Sequence, residues 1–301
     1  MRQHTLSRTY AFEGKGLHTG VHTRMNVRPA EPGTGVVFVR TDLGGASVAA
    51  VAENVSSTAR STTLEQGQVQ VHTVEHILSA LTGMGIDNAV VELDNIEVPI
   101  LDGSARPYVE AFSSDPLPEQ DAPRICLSVD SPVEVRDEKS GSWVRIEPAD
   151  EFSYELTVDF NSRVLGVQTL RWDASVPYAS EIGICRTFVF FHEIEYLFAN
   201  NLIKGGDVDN AIVVVEHPVT PEQVDAVAAK IGKAALAVEG NGYLSNVSLS
   251  FPDECGRHKM LDMIGDLRLC GGFLKAKVTA FKPGHGINTL TAKAFRKAMN
   301  K

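Results

Sequence analysis

Hydrophobic positions along this 301-residue chain switch repeatedly between two periods. In the first third, short β-branched runs alternate with turns. Residues 23–28 and 35–40 read as strands, and 69–71 follows a Gln66-Gly67 turn. From Thr73 to Leu81 the pattern becomes helical, with Val74, Ile77, Leu78 and Leu81 in one stripe and Gly83 and Gly85 ending it. Residues 88–93 return to a strand, and 106–112 form a short helix.

Residues 113–123 are polar and carry Pro116, Pro118 and Pro123, so they read as a linker that continues neither helix nor sheet. Beyond it, 143–146 and 154–160 read as strands and 190–200 as a hydrophobic helix. Thr220-Pro221-Glu222-Gln223 has capping-box spacing with proline at the first helical position. A further helix spans 258–269, Gly271-Gly272 closes it, and a strand follows over 273–281. Both halves thus contain an amphipathic helix, a glycine stop and a strand, which suggests two similar α+β layers. No short repeat is visible.

Length and 43% hydrophobic content suit two domains, expected at 1–121 and 124–301. A net charge of −10, from 38 acidic and 28 basic residues, argues against a nucleic-acid surface but leaves room for a local basic pocket. The four cysteines form no CxxC pair, so reduced thiols in a cytoplasm are expected. The N-terminus lacks the apolar core of a secretory signal, and no run is long enough to span a membrane.

The chemistry concentrates in three separated stretches. His258 and Asp262 stand four apart, so a helix presents them from one face, and both can reach one zinc ion at about 2.0–2.2 Å. An ordinary exposed i,i+4 pair reads the same way, but Asp266 continues the row one turn on. His76 is a candidate third ligand, leaving the fourth position for water, and the adjacent Glu75 suits a general base; a solvated helix start is the plainer reading. His285, in Gly284-His285 after the last strand, is either loop surface or a general acid oriented by Asp266. HExxH is absent, which argues against an ordinary zinc peptidase. Gly14-Lys15-Gly16-Leu17-His18-Thr19-Gly20 lacks phosphate-loop spacing and reads as a β-turn. Cys255 with His258 makes an isolated C-x-x-H, for which a structural cysteine is preferred.

Taken in order, Thr73-Val74-Glu75-His76, Gly85-Ile86-Asp87-Asn88, Pro99-Ile100-Leu101-Asp102-Gly103-Ser104, Arg186-Thr187-Phe188, residues 258–267 and Lys282-Pro283-Gly284-His285 closely resemble the UDP-3-O-acyl-N-acetylglucosamine deacetylase (LpxC) family. The likeness runs from about Leu6 to a C-terminal helix. It implies two βααβ-sandwich domains facing each other with the active site between them. It also implies zinc on His76, His258 and Asp262 (ferrous iron suits the same ligands), Glu75 as general base, His285 paired to Asp266 as general acid, and Thr187 at the oxyanion. Phe188, Phe191, Ile194 and Val213 would line an acyl passage. Lys259 and Lys282 would meet the diphosphate of the UDP-sugar, and Phe160 would stack near its uracil. The implied setting is lipid A and lipopolysaccharide biosynthesis in the cytoplasm of a Gram-negative type bacterium. In some members a hydroxyacyl carrier-protein dehydratase domain follows.

The chain departs from the family's better-known pattern at Val189, Glu193 and Gly205-Gly206-Asp207-Val208, and diverges over 215–251 with a turn at Gly240-Asn241-Gly242. These departures bear on acyl-chain preference, not on catalysis. A catalytically silent metal-binding protein of the same fold is the alternative, against which Glu75 and His285 beside a full ligand set argue.

Overall fold

The computed structural model describes residues 1–200, 202–231, 233, 236–245 and 248–299. Positions 300 and 301 of the expected second domain lie outside the described residues. The first part of the chain forms β1 (Arg2–His4), β2 (Tyr10–Lys15), β3 (His22–Pro29), β4 (Val36–Arg40), β5 (Ala46–Ala49), β6 (Val55–Ser57), β7 (Thr63–Gln66), β8 (Val69–Val71), α1 (Glu75–Gly83), β9 (Ala89–Leu93) and α2 (Arg106–Ser113). Then come β10 (Glu119–Pro123), β11 (Cys126–Leu127), β12 (Val133–Asp137), β13 (Ser142–Pro148), β14 (Ser153–Asp159), β15 (Val167–Asp173), α3 (Tyr178–Glu181), β16 (Phe188–Phe190), α4 (Phe191–Ala199), β17 (Ile212–Val214), α5 (Pro221–Lys230), α6 (Glu254–Arg268), β18 (Phe273–Leu274), β19 (Ala276–Phe281) and α7 (His285–Met299).

The alternation read in β3 is real: Thr23, Met25 and Val27 are buried while their neighbours face out. Two five-stranded sheets share one topology, β2-β3-β9-β4-β5 and β12-β13-β19-β14-β15. In each, two hairpins flank the strand that comes last in sequence, antiparallel to one hairpin and parallel to the other. In each half the main helix, α1 or α6, precedes that central strand, and a glycine at positive φ (Gly85 at 74°, Gly271 at 100°) stops it. The fold is therefore α+β, with two repeated sheet-and-helix units.

The linker expectation fails at its end. Residues 119–123 form β10, antiparallel to β1, with Gln3 Nε2 donating to the Pro123 carbonyl at 2.9 Å and an ion pair between Arg2 and Asp121. A two-stranded ribbon tolerates proline because Pro123 needs no amide partner on the open edge. The Thr220 capping box forms as expected: Gln223 donates its amide to Thr220 Oγ1, and the Thr220 amide donates to Gln223 Oε1. Helix α6 begins four residues earlier than the pattern suggested.

Helices α1 and α6 are almost wholly buried and cross at Gly265. A Cβ there would lie 2.0 Å from the Glu75 carbonyl oxygen, so only glycine lets the two backbones meet. Alanine would favour the helix by about 1 kcal/mol. Against that, overpacking against rigid backbone costs about 3 kcal/mol. Gly265→Ala should therefore lower the urea midpoint; an unchanged midpoint would contradict the crossing as described.

Candidate metal centre and active site

The N-terminal turn of α1 carries Glu75 and His76, and the middle of α6 faces it. His76 Nε2 lies 3.7 Å and His258 Nε2 3.4 Å from Asp262 Oδ1. The two imidazoles stand perpendicular, 5.0 Å between centroids. One ligand atom from each of the three residues falls within 4.8 Å of the others, the spacing of donors around one ion.

Burial sets the charge states. It drives His76 down to about 3 and keeps His258 below the usual histidine range, so both are neutral with free lone pairs at neutral pH. His258 Nδ1–H donates to the Cys185 carbonyl at 3.0 Å, which turns Nε2 inward. Burial alone would raise Asp262, but the neighbouring His258 and Lys259 hold it far below the carboxylate range. Lys259 Nζ takes Asp262 Oδ2 at 2.9 Å, and Oδ1 has no hydrogen-bond partner although fully buried. An orphaned carboxylate oxygen facing two histidine lone pairs fits a cation, because a buried acceptor without a donor is otherwise costly.

Glu75 Oε2 accepts from the Thr62 amide at 3.0 Å, and Oε1 lies 3.9 Å from His285 Nε2. Burial, with Asp266 and Asp262 nearby, raises Glu75 to about 7 against the pull of His285. His285 moves the other way. Burial would lower it, but Asp266, bonded to Nδ1 at 3.0 Å, and Glu75 raise it to about 9. Contrary to the loop expectation, His285 is the first residue of α7, because the Asn288 amide bonds Gly284 and closes a helical turn there. Asp266 is also held by Thr62 Oγ1 at 2.6 Å and Asn288 Nδ2 at 2.9 Å. Sequence reading missed both. Asn288 sits three residues after His285 on the same helix face, a spacing that could have revealed it; Thr62 offers no such signal.

Thr187 ends a loop tied to α6 by Arg186, whose Nε meets the buried Glu254 Oε1 at 2.9 Å. Beside Thr187 opens a cavity of about 740 Å³ of empty space, partly continuous with solvent, walled by Phe188, Ile194, Val213, Leu17, His18 and Phe198 among others. Phe191 belongs to the same apolar cluster but faces the neighbouring cavity with His192 and Val215. Phe160 packs edge-on to Phe188, 5.3 Å between centroids. Lys282 pairs with Asp159 at 3.2 Å, while Lys259 lies 5.5 Å over the Phe188 ring. Cys255 packs with Leu165 and Ile212, outside the cage, and the 16–20 segment is a tight turn between β2 and β3.

The family model for UDP-3-O-acyl N-acetylglycosamine deacetylase (LpxC) matches residues 3–227 and 222–297, nearly the whole chain. The chain belongs to this family. An LpxC-family relative from Myxococcus xanthus, named UDP-3-O-acyl-N-acetylglucosamine deacetylase, is 40% identical over 301 residues, covering 99% of this chain and 86% of its own. A "Bifunctional enzyme LpxC/FabZ" from Porphyromonas gingivalis is 40% identical over 98% of this chain, and one from Chlorobaculum tepidum is 38% identical over 99%. The chain spans 64% of the length of each of those two. Among the described residues, no helix is long and apolar enough to cross a membrane.

The cage predicts its own dissection. Asp262→Ala should reduce zinc affinity by more than the roughly 10–100-fold typical of losing an outer-shell partner, measured by chelator competition. Zinc bound as tightly as in the unaltered chain would place the ion elsewhere.

Proposed function

We propose that this chain hydrolyses the N-acetyl group of UDP-3-O-acyl-N-acetylglucosamine, giving acetate and the free amine, at a divalent ion held by His76, His258 and Asp262. The observation that carries the reading is the unpartnered Asp262 Oδ1 between two neutral imidazoles, with the Glu75–His285 pair beside it. Family membership supports the substrate, and lipid A biosynthesis in a bacterial cytoplasm is the setting proposed with it. Zinc and ferrous iron both suit two histidines and one carboxylate with open positions. Bound there, such an ion would polarise the acetamide carbonyl and make a neighbouring water more acidic.

The chain's own groups do the proton work. Glu75, raised to about 7, takes a proton from the attacking water as its oxygen adds to the acetamide carbon. Thr187 offers its hydroxyl to the developing oxyanion. His285, kept protonated by Asp266, gives a proton to the glucosamine nitrogen as the C–N bond breaks, since an unprotonated amine leaves poorly. The cavity walled by Phe188, Ile194 and Val213 takes the 3-O-acyl chain, with Phe191 behind its wall. Lys282 meets the diphosphate and Phe160 the uracil; Lys259, tied to Asp262, adds its charge from the cage side. The domains at 1–121 and 124–301 would supply the two halves of the cage. The bifunctional relatives support a hydroxyacyl carrier-protein dehydratase as a further part of the complete protein.

Metal analysis combined with amine release from the UDP-acyl-sugar tests the reading. Glu75→Ala should lower kcat by about 10²–10⁴-fold, the usual worth of a general base. A metal-loaded wild type that releases no amine would sink the proposal in favour of a silent metal-binding protein. In the pH profile, activity should rise as Glu75 ionises near 7 and fall as His285 loses its proton near 9. A raised histidine keeps its proton below its pKa, so the acid limb fails on the alkaline side. His285→Gln should lower the rate and abolish that alkaline fall; a fall that persists would assign it to another group.

A further inference from the structure

Glu97 lies outside the cage, fully buried, and its carboxylate gathers four hydrogen bonds from two distant segments. Oε1 accepts from the His18 amide at 3.0 Å and the Thr73 hydroxyl at 2.9 Å. Oε2 accepts from the Thr19 amide at 2.8 Å and the Thr19 hydroxyl at 2.6 Å. His18 and Thr19 belong to the turn between β2 and β3. Gly16 in that turn has no room for a side chain, because a Cβ would lie 2.3 Å from Glu97 Oε2. The turn is thus wrapped around the carboxylate.

Each segment leads to a different part of the site. Leu17 and His18 line the same cavity as Phe188 and Ile194. Their outer side docks on residues 202–205: the Gly205 amide donates to the Leu17 carbonyl at 3.1 Å, and His18 Nδ1 meets the Leu202 carbonyl at 2.8 Å. Thr73 is buried and holds φ at +59°, a left-handed conformation that a β-branched residue rarely adopts. That turn sets the direction in which the chain enters α1, and Glu75 and His76 follow at once. A strained turn persists only where its surroundings over-determine it, and the bond from Thr73 Oγ1 to Glu97 is one such constraint.

We infer that Glu97 is a positioning residue that holds the cavity wall and the turn before Glu75-His76 in one register, so that seating an acyl chain and aligning the base and its neighbouring ligand depend on the same carboxylate. The inference rests on the deacetylase reading for its kinetic consequences and on geometry alone for its structural ones. The two limbs separate by residue. Thr73 serves only the catalytic turn, and the Thr19 hydroxyl only the wall. Glu97→Gln preserves volume but turns one acceptor into a donor that faces donors.

The test compares wild type, Glu97→Gln, Thr73→Val, Thr73→Ser and Thr19→Val, each zinc-loaded, on UDP-sugar substrates with a long and a short 3-O-acyl chain. Backbone amide exchange of the metal-free proteins is followed in parallel at 16–20 and 73–76. Glu97→Gln should melt as a folded protein, lower kcat by about 10- to 100-fold, as a displacement near 1 Å does, and raise KM for the long-chain substrate. It should also speed exchange in both segments. Thr73→Val should lower kcat with KM little changed, and Thr73→Ser should restore it; Thr19→Val should raise only the long-chain KM. Unchanged exchange in either segment of Glu97→Gln, or kinetic losses that merely track the fraction unfolded, would overturn the inference. If Glu97→Gln does not fold, the opposite kcat and KM signatures of the two threonine variants decide it, and identical signatures overturn it. If wild type releases no amine, the deacetylase reading falls, and the exchange data alone judge whether Glu97 joins the two segments.

Discussion

Everything in the site follows from how closely α1 and α6 approach. The Glu75 carbonyl occupies the space a side chain at Gly265 would fill, so the N-terminal turn of one helix sits directly over the middle of the other. A wider spacing, set by even one methyl group, would move His76 away from Asp262 and Glu75 away from His285 together. The two sheets carry the same strand order and hold the helices from their own sides. The fold thus supplies two similar frames, and the glycine fixes the distance between their contents.

Within that contact, burial and neighbours give identical side chains opposite duties. His76 and His258 are buried and His285 is partly buried, yet the first two are driven down and stay neutral while His285 is driven up and stays charged. The difference lies in what each faces. His285 meets both Asp266 and Glu75, whose charges outweigh its burial, whereas at His76 and His258 burial outweighs the pull of Asp262. The carboxylates divide as well. Asp262 is left with one bare oxygen, and Asp266 has both oxygens occupied by Thr62, His285 and Asn288. Groups pushed apart in this way are suited to ligand, base and acid roles in one small volume.

Much of this was legible in the sequence because it is periodic or local. The helix stripe from Val74 to Leu81, the glycine stops, the Thr220 capping box and the four-residue spacing of His258, Asp262 and Asp266 all obey short-range rules. What escaped depends on partners far away in the chain. Thr62 reaches Asp266 across 204 residues and Thr73 takes a left-handed turn that its residue type disfavours. Residues 119–123 are drawn into a strand by β1, more than a hundred residues earlier, despite their prolines. No local pattern encodes such pairings; only the closed fold creates them.

The row on α6 also explains why one helix can feed two chemistries. Glu254, His258, Asp262 and Asp266 recur every four residues and are all buried. At about 100° per residue, each step of four advances the side chain by roughly 40° around the axis. Two neighbours in the row can therefore share a target, but three in succession cannot, since members two steps apart diverge by about 80°. His258 and Asp262 can converge on one ion. Asp266 has turned far enough to meet His285 and Thr62 instead, and Glu254, turned the other way, anchors Arg186 beside Thr187. A strict coiled-coil spacing would have kept all four on one seam and left His285 without Asp266. The slow drift of an ordinary helix is what separates the His258–Asp262 pair from the Asp266–His285 pair.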